Sequence, residues 1–355
     1  MSSSARIVHA LSGAGTALLS ALLFGITTPL AKELLGGANP VLIAGLLYVG
    51  SGAGLILWIL VQDRGRVRLN FTRAEWPWLV AAVTAGGVIA PALLMVGLAR
   101  TEAAAASLLL NLEMVFTALL AWLLFREPTA PRIVGGFVSI LVGSLILVWP
   151  RQITTGNPPA AVLAIIAACL FWGIDNNLTR KISAGDARMI AALKGLVAGV
   201  TNIAIALVLG AAFPPARAVS ETLVLGFLGY GVSLVLFVYS LRNLGAARTG
   251  AYFATAPFIG SALAIVLYGQ TAGIGFWLAV LCMGVGVWLH LTEHHEHEHT
   301  HDVTVHRHSH THDPHHRHEH DADWDGVEPH THEHRHEPLK HSHPHFPDIH
   351  HRHVH

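Results

Sequence analysis

Charge is scarce in this chain of 355 residues. Asp, Glu, Lys and Arg make up 12% of it, and hydrophobic residues make up 52%. A soluble domain carries about 25% charged residues, so a water-facing globular surface is not what most of this sequence builds. Cysteine is nearly missing. Cys169 and Cys282 both lie in apolar runs, which speaks against a disulfide framework or a Cys-based metal motif. Histidine is just as rare in the body: residues 1–290 hold only His9 and His290, and the other 24 lie beyond. No nucleophile–base pairing and no phosphate-binding signature is visible. Neither an enzyme nor a nucleic-acid partner is expected.

The formal net charge of zero conceals a division. Residues 1–290 contain 17 Lys/Arg and 9 Asp/Glu, whereas residues 291–355 contain 5 and 13. One apolar, mildly basic body therefore carries one acidic, His-rich appendage.

The body reads as membrane. A spanning helix needs about 20 mostly apolar residues. Ala10–Ala31, Leu34–Gln62, Trp76–Ala99, Ile133–Pro150, Gln152–Ile174 and Thr222–Leu241 are uncharged. Ala103–Phe125 contains Glu113 alone, and Met189–Ala216 contains Lys194 alone. Thr249–Leu291 is too long for one span, and "GQTAG" at 269–273 divides it. The expectation is an all-α integral membrane protein with ten transmembrane helices. No cleavable signal peptide is evident, because the first apolar segment leads straight into the repeat described below.

Basic residues in the short loops set the orientation. With the N-terminus inside, 12 Lys/Arg from Arg6 to Arg248 fall on the inner side, and only Lys32, Arg100, Arg151 and Arg217 fall on the outer side. An even number of helices then puts both termini in the cytoplasm of a multi-pass protein of the plasma or inner membrane.

The body is also doubled. "LFGITTPLAKEL" at 23–34 parallels "FWGIDNNLTRKI" at 171–182, at an offset of 148. "LARTEAAAASLLLNLEMVFTALLAWLLFRE" at 98–127 parallels "LRNLGAARTGAYFATAPFIGSALAIVLYGQ" at 241–270, at an offset of 143. Each half closes with a Gly-rich span. Five helices per half is an odd number, so the halves insert with opposite orientation. Inverted repeats of this kind go with transporters that hold their substrate near the midplane. The units are residues 11–150, 152–292 and a tail, 293–355.

At these residues the chain resembles the EamA-type family of the drug/metabolite transporter superfamily. The marks are Phe24-Gly25 and Trp172-Gly173 in the first helix of each half, Glu127 closing helix 4, and Ala256-Pro257 within helix 9. The resemblance implies two inverted five-helix repeats around a central cavity, and alternating-access movement of small organic solutes. The chain departs from the pattern where Glu113-Met114 stands opposite Ala256-Pro257, and where Gln270 stands opposite Glu127.

Polar groups inside spans are the candidate cavity residues, because charge in lipid costs about 2.5–3.5 kcal/mol or more. Glu113 lies near mid-bilayer by helix rise. It is either a structural carboxylate bonded to a neighbouring helix or a cavity group that takes a proton or a cation. Asn111 and Ser107 share another face of that helix. Asp175 and Lys194 lie at similar depth and are placed to pair; Lys194 alternatively snorkels to the inner surface. "WGIDNN" supplies Trp172, Asp175, Asn176 and Asn177, with Thr27 and Thr28 as its mirror in the first half. Tyr252 lies on one face of helix 9 with Arg248 and Thr255, as a packed aromatic or a ligand contact.

The tail cannot bury a core, so it is expected to be disordered. Its recurring His-x-His puts imidazoles on one side of an extended chain. Imidazole suits Zn, Ni and Co. The candidate ligands are His294, His295, His297, His299, His306, His308, His310, His312, His315, His316, His318, His320, His332, His334, His336, His341, His343 and His345. No cofactor is required for the fold. The partners are the lipid bilayer and a small-molecule or metal-ion substrate, and a homodimer stays open. Three functions remain: an organic-solute transporter with a metal-responsive tail, a divalent-metal transporter buffered by its tail, and a membrane-anchored metal store or sensor.

Overall fold

The computed structural model describes residues 13–62, 72–125, 131–148, 158–182 and 187–292, and in the tail 296–300, 305–310, 330–335 and 340–344. The body is helical. In chain order come α1 (Gly13–Leu34), α2 (Pro40–Gln62) and α3 (Trp76–Ala82), which passes through a π-helical segment (Val83–Ile89) into α4 (Ala90–Ala99). Then come α5 (Ala103–Leu109), α6 (Leu112–Phe125) and α7 (Pro131–Val148). The second half holds α8 (Pro159–Arg180), α9 (Ala187–Val208) and α10 (Ala216–Gly226), a second π segment (Phe227–Val232), α11 (Ser233–Phe253), α12 (Ala256–Tyr268) and α13 (Ile274–Leu291).

Local chemistry sets many of these boundaries. Proline opens α2, α7 and α8 at the position where its missing N–H has no helical partner to lose. Asn39 caps α2, its side-chain oxygen accepting from the N–H groups of Val41 and Leu42 at 2.9 and 3.3 Å. Gly269 ends α12 in the left-handed conformation, φ 58°.

Among the described residues eight helical runs are long and apolar enough to cross a bilayer, and Ala256–Tyr268 and Ile274–Leu289 are shorter apolar helices. The outward surface is apolar: Val208, Ile274 and Leu145 are 87%, 82% and 65% exposed. Water would not tolerate such a surface on a monomer, but lipid does. Inside, helices approach through small residues. A Cβ on Gly195 of α9 would stand 2.7 Å from the Gly52 backbone of α2, so the two backbones meet directly.

Three expectations change. The described part of the first span runs from Gly13 and extends past Ala31 to Leu34. Lys32 and Glu33 can end the helix because the Lys32 ammonium donates to the Leu98 and Ala99 carbonyls in the last turn of α4, at 2.6 and 3.0 Å. The fourth span is interrupted, as α5 stops at Leu109 and α6 starts at Leu112. Asn111 and Ser107 are therefore not on one continuous helix. The ninth is interrupted too, between Phe253 and Ala256. The part before that break is continuous in helical hydrogen bonding with the end of the eighth span, as α11. Yet the Phe237 and Phe253 rings lie 4.9 Å apart. Sixteen residues of straight helix would put them about 24 Å apart, so α11 doubles back between them.

The tail also departs from the expectation of no secondary structure. β1 (Glu296–Thr300) pairs antiparallel with β4 (Lys340–Pro344), and β2 (Val305–His310) with β3 (His330–Arg335). The period-two alternation of His with other residues, including β-branched Val and Thr, suits a ladder. His297, His299, His306, His308, His310, His332, His334, His341 and His343 fall in these strands. His294, His295, His312, His315, His316, His318, His320, His336 and His345 lie outside the described residues.

Candidate functional site

The most polar stretch of the body is one helical turn and a half of α8, Trp172 to Asn177. Its polar side chains reach α6, α9 and the first π segment. Asn176 Nδ2 donates to Glu113 Oε1 at 3.0 Å and to Thr117 Oγ1 at 3.1 Å, both on α6. Asn177 Nδ2 donates to the Thr117 and Gly173 carbonyls at 2.9 and 2.8 Å. Asp175 pairs with Lys194 of α9, Oδ2 to Nζ 2.5 Å, and its other oxygen accepts from Thr179 Oγ1 at 2.9 Å. Trp172 Nε1 donates to the Gly86 carbonyl at 3.0 Å.

Gly86 belongs to the first π segment. There the backbone leaves the α-helical pattern, and its carbonyls are taken by side chains from other helices. Tyr48 OH donates to Gly86 at 2.9 Å, and Asn202 Nδ2 donates to Gly87 and Val88 at 3.3 and 3.2 Å. A Cβ on Gly86 would fall on the Asp175 carboxylate. The second π segment meets α1 in the same way, since a Cβ on Gly229 would fall on Thr27 Oγ1. π segments recur at functional positions because they widen a helix and free backbone groups.

Glu113 occupies the first turn of α6, just past the break in helix 4. It is half-buried, whereas Asn176 is exposed although four residues inside the end of α8. Asn111 sits in the break itself. Its Nδ2 donates to the Leu108 carbonyl at 3.0 Å, while its Oδ1 and the nearby Ser107 Oγ are buried with no partner among the described residues. Thr28 is buried, and Thr27 Oγ1 bonds back to the Leu23 carbonyl at 2.8 Å.

The structure thus brings Glu113, Asn176, Asn177, Asp175, Lys194 and Trp172 into one connected region. Thr27 and Thr28 lie against the second π segment. Among the described residues no hydrogen bond joins the Tyr252 side chain to this network; its carbonyl accepts from Thr255 Oγ1 at 2.6 Å. Reading the sequence missed Thr117, Thr179, Tyr48 and Asn202. Each is a polar residue within an apolar span, the same signal that singled out Asn176. An aromatic cluster borders the region: Phe24 lies 5.8 Å from Tyr230 and 5.2 Å from Phe253, and Tyr48 lies 5.4 Å from Tyr230, ring centre to ring centre.

The described ends of the bundle differ. At the Lys32 end, Tyr268 OH donates to the Pro29 carbonyl at 2.7 Å, Ser261 Oγ to the Ala104 carbonyl at 3.0 Å, and the Ala104 N–H to Gln270 Oε1 at 3.3 Å. These bonds tie α1, α5 and α12 together. Among the described residues of the helical body no group of three or more His, Cys, Asp or Glu side chains could hold a metal ion.

Comparison with known proteins adds the following. The model of the EamA-like transporter family matches residues 11–149 and 159–292. An uncharacterized transporter of Methanothermobacter thermautotrophicus is 27% identical over 289 residues, which is 77% of this chain and 84% of the relative. A solved crystal structure superposes with a TM-score of 0.60 at 20% identity, covering 79% of this chain and 99% of its own. That last likeness concerns the fold alone.

Proposed function

The chain belongs to the EamA-like transporter family, and from that premise we propose that it is a secondary transporter moving a small organic solute by alternating access. The coarser statement, a multi-pass membrane transporter of the drug/metabolite type and not an enzyme, rests on the family match and the relative. The finer reading has ten spans in two inverted repeats, 11–150 and 152–292, with both termini in the cytoplasm.

One observation carries the site: Asn176, exposed within an apolar span, donates to Glu113 at a helix break. Broken helices near the midplane offer free backbone groups and polar side chains to a substrate. We assign the Glu113–Asn176–Thr117 cluster as the substrate or proton site, and Asp175–Lys194 as the charged pair beside it. The inverted arrangement is supported by exchange. Asp175 of the second half lies on Gly86 of the first, and Thr27 of the first lies on Gly229 of the second. The two breaks, at Asn111 and Ala254, are separated by the same 143 residues as the sequence repeat. The bonds that tie the Lys32 end, set against the exposed Asn176 near Arg180, fit a state closed outside and open to the cytoplasm.

The tail is assigned separately, as a cytoplasmic binder of Zn, Ni or Co. The body offers little to a soft metal, with two histidines at its ends and two cysteines in apolar runs. A metal path through the membrane is therefore the second reading, favoured only by the tail. The test is transport by the purified chain in liposomes. Vesicles are incubated with a defined mixture of amino acids, amines, nucleosides and organic acids, and their contents are read by mass spectrometry. Saturable accumulation of one class, lost in Glu113→Gln, supports the reading. Contents that match protein-free vesicles sink it. Accumulation of Zn, Ni or Co instead, by the chain lacking residues 293–355, would transfer the assignment to the second reading.

A further inference from the structure

The two tail ladders share one register. Val305 lies nine residues beyond Glu296 on one arm, and Pro344 lies nine beyond Arg335 on the other, each opposite its partner. Neither arm therefore carries a net insertion. Within this register every histidine stands opposite a histidine. The rungs are His297 with His343, His299 with His341, His306 with His334, His308 with His332, and His310 with His330. The rungs between them pair other residues, such as Glu298 with Ser342 and Arg307 with Glu333. His330 was not among the ligands expected from sequence, and it enters here through its partner His310.

We propose that each ladder is a divalent-metal site built from consecutive His–His rungs. This rests on the metal-binding reading of the tail and deepens it. His-x-His on a single strand supplies two imidazoles, whatever that strand pairs with. Register adds a second pair. Directly opposite residues in an antiparallel ladder hold their Cβ atoms about 4.5–5.5 Å apart. Positions two apart on one strand share a face at about 7 Å. Two consecutive His rungs therefore place four histidines at adjacent register positions on one face of the ladder, and an ion such as Zn takes nitrogen ligands at about 2.0–2.1 Å. One such set is His297, His299, His341 and His343. The other ladder offers three rungs, of which two adjacent ones suffice. Nitrogen donors select Zn, Ni and Co over Mg and Ca.

Metal and ladder should form together. A two-stranded ribbon alone is marginally stable in water. A bound ion joins the arms.

Register and composition can be separated in the full-length chain in nanodiscs. The first variant shifts one arm by exchanging neighbours: V305H, H306V, R307H, H308R, S309H and H310S. Its composition is unchanged, but its histidines now face Arg335, Glu333 and Thr331. The second variant adds H330T, T331H, H332E, E333H, H334R and R335H, which restores His opposite His at every shifted rung. Zn affinity is measured by competition with a chelating indicator, and Co(II) absorption reports four-coordinate nitrogen ligation. The expectation is that the one-arm variant loses one high-affinity ion, at least tenfold in affinity, and that the two-arm variant regains it. A one-arm variant that binds like the native chain, or a two-arm variant that fails to recover, overturns the register proposal. If the native chain binds no more than a chain ending at Leu291, the metal reading of the tail falls as well.

Discussion

The Asp175 carboxylate lies directly against Gly86, where a Cβ would overlap it. This contact joins the charged pair of the second half to the π segment of the first. Gly86→Ala would push Asp175 away from Lys194 and disturb the carbonyl that Tyr48 and Trp172 share. Overpacking of this kind costs about 1–3 kcal/mol. Gly250 is the contrast, with nothing within 4 Å of a Cβ built there. Gly250→Ala should be neutral, or stabilising by about 0.5–1 kcal/mol through helix propensity. Melting of both variants in detergent, followed by size-exclusion, compares them. Equal melting temperatures would show that the Gly86 contact does not constrain the fold.

The Asp175–Lys194 pair makes a second prediction. Removing one partner of a buried pair strands the other charge, at a cost of about 3–5 kcal/mol. The Lys194 side chain is 19% exposed, so the lower end of that range applies. Asp175→Asn and Lys194→Met should each destabilise the chain. The double variant should melt above the lower of the two singles, because no lone charge remains. Additive losses in this cycle would mean the two residues act independently.

Much of this architecture was open to inspection in the sequence. Apolar spans, the 143–148 residue repeat and the polar patch at Trp172–Asn177 follow from hydropathy and internal comparison, and those signals are local. The breaks were less legible. Asn111 sits in an apolar run with no proline or glycine beside it, so nothing local marks an end there, whereas the break at Ala254 has a local mark in Pro257, in the first turn of α12. The π segments were also hidden. Gly86-Gly87 and Gly229–Gly231 look in sequence like any small residues of an apolar span. Their carbonyls are taken by Tyr48, Trp172 and Asn202 from distant helices, or their surface by Thr27, and no local pattern encodes that. In the tail the His-x-His period was plain, but the pairing of arms across intervening chain was not.

Orientation is tested next. The basic excess on the inner loops, 12 against 4, predicts a cytoplasmic C-terminus. A green fluorescent protein fused after His355 should fluoresce, and an alkaline phosphatase fused there should be inactive. The reverse pattern would place the His-rich tail outside. The reading of the state as closed outside and open to the cytoplasm would then invert.

The last prediction concerns Glu113 and Asn176. If the pair lines a water-filled path, a cysteine at 176 in a chain with Cys169 and Cys282 replaced by serine should react with a small, membrane-impermeant thiol reagent. In the assigned orientation it should do so from the cytoplasmic side. A cysteine at Val200, midway along α9 and exposed on the outer surface of the bundle, should react slowly because lipid covers it. Glu113→Gln keeps an oxygen that can accept from Asn176 Nδ2, so the chain should fold with little change in melting temperature. What it removes is the negative charge and the exchangeable proton. Solute flux should therefore fall by tenfold or more, and any acceleration of flux by a pH gradient should vanish. Labelling at 176 equal to that at 200 would place Asn176 in lipid. Native flux in Glu113→Gln, with its pH response intact, would reduce Glu113 to a structural partner of α8 and move the site elsewhere in the bundle.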